Sequence, residues 1–229
     1  MRLTAFNGSP RGATGNTARM LEQFLAGFNS VPGNSAEARF LCRTREMDEH
    51  LKAYAQSERV LLAFPLYVDS MPAAVKAFIE ELEPFCGREG NPPLLFLVHS
   101  GFPEASHSRP VERYLAKLAK RLGCVNKGTI IKPGSEGLRH LPEDMNRKLF
   151  GRLRELGCVF GSEDRLEARI VKQLAKPERF NPVQMAVFAA MRLLGITNRY
   201  WDAMLRKNNA YEKRFDRPYA EDADKRPGP

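Results

Sequence analysis

A loop rich in glycine and hydroxyl residues separates the first apolar segment of the chain from its first helical pattern. The apolar segment runs from Leu3 to Phe6, and the loop runs from Asn7 to Thr17. After the loop, apolar side chains recur at three- and four-residue spacing, as on one face of a helix. They are Met20, Leu21, Phe24, Leu25 and Phe28. This order predicts a strand, a loop and a helix.

The composition of this loop is suited to binding an anion. The start of a helix carries unpaired backbone N–H groups and the positive end of the helix dipole. The three glycines of the loop allow the main chain to approach a ligand closely, and Arg11 adds a charged donor. These features predict a phosphate site.

The spacing of the loop excludes the two commonest phosphate-binding patterns. The Walker pattern requires Gly-Lys-Ser/Thr at a fixed distance after a first glycine, but Ala13 stands five residues after Gly8 and no lysine follows it. The dinucleotide pattern G-x-G-x-x-G is absent as well. A hydroxyl-rich loop remains, of the kind that holds the terminal phosphate of FMN in flavodoxin-like proteins. The alternative is an ordinary glycine-rich turn between a strand and a helix.

Most of the excess positive charge lies in the C-terminal part of the chain. The 229 residues carry a formal net charge of +9, and residues 165–229 contribute 14 Lys and Arg against 8 Asp and Glu. The length suits one large domain, or one domain with an appendage. We predict a ligand-binding domain over residues 1–175 and a basic helical extension over residues 176–229.

The four cysteines form no recognisable disulfide or metal motif. Cys42, Cys86, Cys124 and Cys158 lie far apart, without a C-x-x-C pair or a histidine at ligand spacing. We expect buried or free thiols in a reducing compartment and no metal site. No signal peptide is visible, and the most apolar run, residues 183–196, is too short to span a bilayer. The prediction is a soluble cytoplasmic protein.

Strand and helix patterns alternate through the first 160 residues or so. Apolar runs predict five strands, over residues 3–6, 36–42, 59–64, 94–98 and 125–131. Helices are expected after each strand, the second over about residues 46–57 and the fifth over about 142–156, with Pro72 starting the third and Ser108 capping the fourth. This alternation predicts an α/β fold, a doubly wound parallel sheet of five strands in the flavodoxin-like order 2-1-3-4-5. The loops after strands one, three and four would then converge at one edge of the sheet.

Beyond residue 175 the pattern changes. The segment Lys176–Pro182 is predicted to be a connector, and an apolar stripe follows on helical segments with a break at Gly195. The stripe consists of Val183, Val187, Ala190, Leu194, Trp201, Met204 and Leu205. We expect residues 218–229 to be mostly disordered.

The apolar and basic residues of this extension have three interpretations. In the first interpretation the stripe packs on the body of the protein or on a second subunit. In the second, basic residues near Trp201 attach it to a membrane surface, namely Arg192, Arg199, Arg206 and Lys207. Nucleic-acid binding is not expected, because no recognised module is evident.

With these residues in view, the chain resembles the NAD(P)H-dependent FMN reductase branch of the flavodoxin-like superfamily. Three ordered motifs within roughly the first 160 residues carry the resemblance. They are Asn7-Gly8-Ser9-Pro10-Arg11 with Gly15-Asn16-Thr17, Pro65-Leu66-Tyr67 with Met71-Pro72 and Lys76-Phe78-Ile79, and Ser100-Gly101-Phe102-Pro103-Glu104.

The resemblance implies which residues hold the cofactor. In that family the first motif holds the FMN phosphate, and the second and third flank the isoalloxazine ring. The residues placed at the phosphate are Ser9, Arg11, Gly15, Asn16 and Thr17. Those placed beside the ring are Pro65, Leu66, Tyr67, Val68 and Met71 on one side, and Ser100, Gly101, Phe102 and Glu104 on the other.

Several of these positions also have an ordinary structural interpretation. Tyr67 fits a core position, Arg11 a solvated surface residue and Glu104 a carboxylate near a helix start. His99 follows a buried strand and is expected to be a hydrogen-bonded structural residue. His107 is a weak candidate for delivering a proton to a substrate.

The function that the resemblance implies is hydride transfer from NAD(P)H through bound FMN to a small acceptor such as a quinone or flavin. The flavin carries the chemistry, so no catalytic side chain is required. Backbone donors of the loops over residues 65–71 and 100–104 are expected to stabilise the reduced ring. A homodimer is expected by analogy with the family.

Two alternatives remain open, and one related function is excluded. The iron–sulfur members of the superfamily carry a cysteine cluster after the second strand, where this chain has only Cys42, so no [4Fe–4S] centre is expected. The first alternative is a flavin-binding electron carrier or sensor without nicotinamide turnover. The second is an anion- or nucleotide-binding module.

Overall fold

Five parallel strands form the central sheet of the protein, in the order β2-β1-β3-β4-β5. The computed structural model describes residues 1–139 and 141–217. The strands are β1 (Arg2–Asn7), β2 (Ser35–Phe40), β3 (Arg59–Pro65), β4 (Leu94–His99) and β5 (Asn126–Lys132). The predicted fold class and strand order are confirmed.

Helices cover both faces of the sheet. They are α1 (Asn16–Asn29), α2 (Met47–Gln56), α3 (Ala73–Glu81), α4 (Arg109–Leu122), α5 (Glu143–Glu163) and α6 (Ala168–Leu174). On one face, α1, α5 and α6 pack on alternate strand residues such as Ala5, Leu61 and Leu97. On the other face, α2, α3 and α4 pack on residues of the opposite parity, such as Phe64 and Phe96. Alternate residues of a strand point to opposite faces, so the central strands are buried on both sides.

Two predicted boundaries differ from the structure by more than one residue. Strand β2 ends at Phe40 rather than at Cys42, because the chain turns there and the Arg43 N–H donates to the Phe40 carbonyl at 3.0 Å. Helix α5 extends to Glu163 rather than to Leu156, because Phe160 continues its apolar face against α1. The helix ends where Asp164 takes a left-handed conformation, with φ of 52°.

Ser108 has the predicted position at the start of α4 but not the predicted capping hydrogen bond. The hydroxyl is buried and unpaired within the described part of the chain. The residue marks the helix start by its position in the chain, and its side chain does not stabilise that start.

A separate C-terminal unit begins at Phe180, after a body formed by residues 1–179. It contains α7 (Pro182–Leu193) and α8 (Arg199–Lys207). Between these helices Gly195 has a left-handed conformation, with a φ of 66°. The predicted disorder of residues 218–229 lies outside the described residues. None of the helices in the described ranges has the length and apolar character needed to cross a membrane. The division of roles between residues 1–175 and 176–229 stays a prediction.

All four cysteines are free thiols, as predicted. Cys42, Cys86 and Cys158 are exposed, whereas Cys124 is buried. The Tyr54 hydroxyl lies 3.3 Å from Cys124 Sγ, and burial raises the pKa values of both groups. Cys124 is therefore a protonated core residue.

Candidate functional site

A cavity of about 130 Å³ opens at the carboxyl edge of the sheet. It is the place where the loops after β1, β3, β4 and β5 meet. Its lining consists of Ser9, Arg11, Asn16, Pro65, Leu66, Tyr67, His99, Ser100, Gly101, Ser135 and Glu136. The three sequence motifs therefore contribute to one site, as the strand order predicts.

The loop between β1 and α1 is held in shape by its own hydrogen bonds. The Ser9 N–H donates to Asn7 Oδ1 at 2.9 Å, and the Gly12 N–H donates to the Ser9 carbonyl at 3.0 Å. Asn7 Nδ2 donates back to the Gly12 carbonyl at 3.3 Å. Gly12 has a φ of 53°, a conformation that favours glycine. The loop is preformed around the side chain of Asn7.

The end of this loop presents unused donors at the start of α1. The backbone N–H groups of residues 16–18 make no hydrogen bond within the described chain, as expected for the first turn of a helix. A Cβ at Gly15 would lie 2.8 Å from Ser9 Oγ, so the serine hydroxyl sits close against the helix start. The helix dipole, these N–H groups, the Ser9 hydroxyl and Arg11 together form a suitable anion site.

The Thr17 side chain is directed away from this anion site, although the sequence predicts the residue at the phosphate. Thr17 is fully buried, and its Oγ1 lies 2.7 Å from His99 Nε2. His99 Nδ1 lies 2.8 Å from Ser135 Oγ, which itself donates to the Ser100 carbonyl at 2.9 Å. Because the Ser135 proton is used, Nδ1 must carry the imidazole proton and Thr17 must donate to Nε2. The Thr17 hydroxyl proton therefore points into the protein, and only its backbone N–H remains for a ligand.

His99 is the structural residue that the sequence predicted. Burial, and secondarily the charge of Lys132, lower the pKa of His99 from 6.5 to about 3. Both ring nitrogens have hydrogen-bond partners. The imidazole is neutral at physiological pH, and it connects the loops after β1, β4 and β5.

The Asn16 side chain is likewise committed to the protein. Its Nδ2 donates to the carbonyls of Ser135 and Glu136, at 2.7 and 3.4 Å. A phosphate needs donors, and neither amide proton of Asn16 is left over. The Asn16 side chain therefore ties two loops together, and its backbone N–H is the donor left for a phosphate. Its Oδ1, however, is a buried acceptor without a partner in the described chain.

The loop after β3 divides into a buried part and an exposed part. Pro65 and Leu66 line the cavity, and the Leu66 N–H donates to the His99 carbonyl at 2.7 Å. Tyr67 also lines the cavity and begins a tight turn in which it exchanges two hydrogen bonds with Ser70. Val68 stands at the tip of this turn, 93% exposed, outside the cavity lining.

Met71 is also outside the cavity lining. It is partly buried and packs against the core on the side of α3. The structure therefore brings only the first three of the five predicted residues of this loop into the cavity.

The loop after β4 contacts the turn at Val68 through a histidine. The ring of His107 stacks on Phe102, with centroids 4.3 Å apart and planes 16° apart. His107 Nδ1 lies 3.6 Å from Asp69 Oδ1, and its Nε2 lies 3.9 Å from Glu104 Oε2. Ser100 and Gly101 line the cavity, whereas Phe102 and Glu104 do not. The cluster holds the two ring-side loops together at their outer ends.

Ser135 and Glu136 are cavity residues that the sequence analysis missed. They lie in the loop after β5, directly after Pro133 and Gly134. A Pro-Gly pair after an apolar strand is a turn signal, and the carboxyl end of β5 lies at the same edge as those of the other parallel strands. That signal was present in the sequence, but the loop carries no motif of the resembling family.

No group of three or more His, Cys, Asp and Glu residues is placed to hold a metal ion in the ranges 1–139 and 141–217.

Comparison with solved structures places the chain in the flavodoxin-like fold. No protein-family model and no curated protein matches the chain. Among solved structures, it is similar to an FMN-dependent NADH-azoreductase from Bacillus anthracis in complex with FMN. The identity is 14% and the TM-score 0.54, over 70% of this chain and 100% of that one.

Two further structures show the same similarity. One is an NAD(P)H:quinone oxidoreductase from Methanothermobacter marburgensis, 16% identical with a TM-score of 0.55, over 70% of this chain and 96% of that one. The other is an NADH:FMN oxidoreductase in its apo form, 17% identical with a TM-score of 0.53, over 80% of this chain and 97% of that one. At these identities the comparison establishes the shared fold.

Proposed function

We propose that the protein is an FMN-dependent oxidoreductase that passes hydride from NAD(P)H to a small acceptor. The observation that carries the proposal is the convergence of the three sequence motifs on one cavity beside the unused N–H groups of α1. An anion site and an adjoining cleft, in which Pro65, Leu66 and Tyr67 form one wall, match the two ends of FMN, its phosphate and its ring.

The residues present fit this cofactor. The phosphate would be held by the Ser9 hydroxyl, by Arg11, and by the backbone N–H groups of residues 16–18. The buried, unpaired Asn16 Oδ1 is an acceptor, which suits a hydroxyl of the ribityl chain. Pro65, Leu66 and Tyr67 would lie on one side of the ring, and Ser100 with Gly101 on the other. Gly15 stays necessary as the residue that lets Ser9 approach the helix start.

FMN, when bound, would supply the redox chemistry, and the chain would supply position and polarity. The backbone N–H groups of Leu66, Tyr67 and Ser100 already donate within the protein. Those of Gly101 and Phe102 have no acceptor in the described chain, so they are the donors left for a ring. Buried His99 stays neutral and fixes the loops, whereas partly exposed His107 is a weak candidate for delivering a proton to a substrate.

The solved neighbours support this class of reaction, because they include azoreductases and a quinone oxidoreductase. By the same analogy the acceptor is a quinone, a flavin or an azo compound. The homodimer is inferred only from the resemblance of the sequence to its family. Three exposed free cysteines favour a reducing compartment, and we infer that the protein is cytoplasmic.

The visible spectrum of the purified protein, followed by release and mass measurement of any cofactor, tests the proposal. We expect a flavin spectrum and the mass of FMN. Steady-state oxidation of NADH and NADPH with a quinone acceptor then tests turnover. FMN-loaded protein that is inactive with both nicotinamides would support the electron carrier instead. A colourless protein that does not bind added FMN would support an anion- or nucleotide-binding module.

A further inference from the structure

The C-terminal unit exposes an apolar helix that carries no acidic residue. Helix α7 has no buried residue, and the sequence from Phe180 to Trp201 contains neither Asp nor Glu. Val183 is 71% exposed and Leu193 is 90% exposed, at opposite ends of the helix. Other exposed apolar residues lie between and after them, namely Met185, Val187, Phe188, Met191 and Leu194. A run of exposed apolar side chains along one helix is typical of a binding surface.

Basic and aromatic side chains accompany this apolar surface. Residues 180–217 contain seven Lys and Arg against three Asp and Glu. Helix α8 carries Trp201, which is 58% exposed, together with Arg206 and Lys207. Tyr211 follows the helix, and the guanidinium groups of Arg206 and Arg214 lie 4.0 and 3.9 Å from the centroid of its ring.

We propose that this unit binds the surface of a bilayer that contains anionic lipids. Apolar side chains beside Arg, Lys and Trp are the composition of interfacial helices, whose apolar face enters the lipid while cations contact the headgroups. Helix α7 has 12 residues and is about 18 Å long, well short of a hydrocarbon core of about 30 Å. It lies on the membrane rather than across it.

Charge favours the lipid surface over a second copy of this chain. In a two-fold symmetric contact between two such units the same surface of both copies would meet, and the stretch from Phe180 to Trp201, which includes Arg192 and Arg199, contains no acidic residue to pair with a cation of the other copy. Anionic headgroups supply the missing negative charge. The proposal does not depend on flavin binding, because it rests on the C-terminal unit alone.

The test uses the full-length protein and sized vesicles of phosphatidylcholine alone or mixed with phosphatidylglycerol. We expect the protein to co-sediment with the anionic vesicles at least tenfold more strongly than with the neutral ones, and added salt should weaken the binding. Trp201 is the only tryptophan of the chain, so its emission reports on this unit directly. The emission should shift to the blue with anionic vesicles.

Variants separate apolar insertion from simple charge attraction. The double variant Phe188→Ser with Leu193→Ser changes two exposed residues and should lower vesicle binding at least tenfold. The matched control, Lys117→Gln with Lys120→Gln on the exposed side of α4, should bind as the wild type does. No binding to anionic vesicles, an unshifted Trp201 emission, or equal binding by the serine variant would overturn the proposal. Self-association that the serine variant abolishes, without vesicle binding, would assign the surface to a second copy.

Discussion

His99 occupies the centre of a chain of hydrogen bonds that joins three of the four loops around the cavity. The chain runs from Thr17 through the imidazole to Ser135 and the Ser100 carbonyl, over distances of 2.7, 2.8 and 2.9 Å. None of these groups is aimed at a ligand. Their effect is to fix the backbone N–H groups and Ser9 relative to the ring-side loops, so that the site is preorganised before a cofactor binds.

The buried neutral state of His99 predicts a loss of stability in acid. The folded pKa of about 3 lies below the unfolded value of 6.5, so the unfolded chain binds the extra proton between these values. The free energy of unfolding should be fully retained above pH 6.5 and should fall as the pH drops below it. The contribution of His99 to that fall is about 2 kcal/mol by about pH 5.

Chemical denaturation at a series of pH values measures this effect in the wild type and in His99→Gln. The variant should be less stable at neutral pH and should show a shallower pH dependence. A residual slope should remain, because burial also lowers the pKa of His50. Parallel curves for the two proteins would show that His99 is not the group that titrates.

At the scale of elements, the turn after β3 is strained at Val68, a residue that the sequence predicts beside the flavin ring. Val68 and Asp69 have φ values of 47° and 61°. Turns of this type favour Asn and Gly, and a β-branched residue with positive φ is an outlier. Such strain is maintained at functional sites when a side chain at that place is needed.

Replacing Val68 should therefore stabilise the protein. Val68→Asn removes the β-branched side chain from the left-handed conformation and should raise the free energy of unfolding by about 1 kcal/mol. Val125→Asn is the control, because Val125 is also exposed and has no positive φ. It should be neutral or destabilising in thermal or denaturant unfolding. A destabilised Val68→Asn would contradict the strain argument.

Helices α1 and α5 approach each other closely at glycines. A Cβ at Gly157 of α5 would lie 1.9 Å from the Phe24 carbonyl oxygen, and a Cβ at Gly27 of α1 would lie 1.9 Å from the Arg154 carbonyl oxygen. Both obstacles are backbone atoms, so neither clash can be relieved by a side-chain movement. The helix start that forms the anion site therefore depends on a close contact made two to three turns away.

A matched pair of substitutions on α5 tests this contact. Gly157→Ala should lower the free energy of unfolding by about 3 kcal/mol or more, because it overpacks the core. Gly151→Ala on the same helix meets nothing within 4 Å and should raise stability by up to about 1 kcal/mol through helix propensity. Denaturant unfolding of both variants measures the difference. Equal effects would mean that the two helices are not in close contact at Gly157.

At the scale of the whole molecule, the sequence predicted the fold well because its signals repeat. Continuous apolar runs such as residues 59–64 indicate buried parallel strands, and five of them alternating with amphipathic helices predict a doubly wound sheet. The phosphate-type loop after the first strand then favours the flavodoxin-like strand order. The larger errors were at the ends of two elements. Strand β2 ends earlier than predicted, at a turn, and α5 extends further than predicted because Phe160 packs against α1.

The site was predicted in outline, because motifs identify loops and do not fix the direction of side chains. Ser9, Arg11 and Asn16 line the cavity, but the Asn16 and Thr17 side chains donate to partners more than 80 positions away in sequence. Those partners, His99, Ser135 and Glu136, become neighbours only when the sheet forms. Ser135 in particular lies in a loop without a motif, so no local sequence pattern could identify it as a cavity residue.

We propose that the loop between β1 and α1 binds the phosphate of a flavin whose ring lies between the loops after β3 and β4. This mode of binding predicts that Arg11 distinguishes FMN from riboflavin, which lacks the phosphate. A lost charge-assisted contact of about 1.4 kcal/mol corresponds to a tenfold change in affinity. Arg121→Ala, at the far end of α4, is the matched control for the loss of one positive charge.

The most direct test is titration of apoprotein with FMN and with riboflavin, in which the quenching of flavin fluorescence measures binding. The wild type and Arg121→Ala should bind FMN at least tenfold more tightly than riboflavin. Arg11→Ala should lose about tenfold in affinity for FMN and little for riboflavin. Equal affinities of the wild type for the two flavins, or an equal loss of both in Arg11→Ala, would contradict the account.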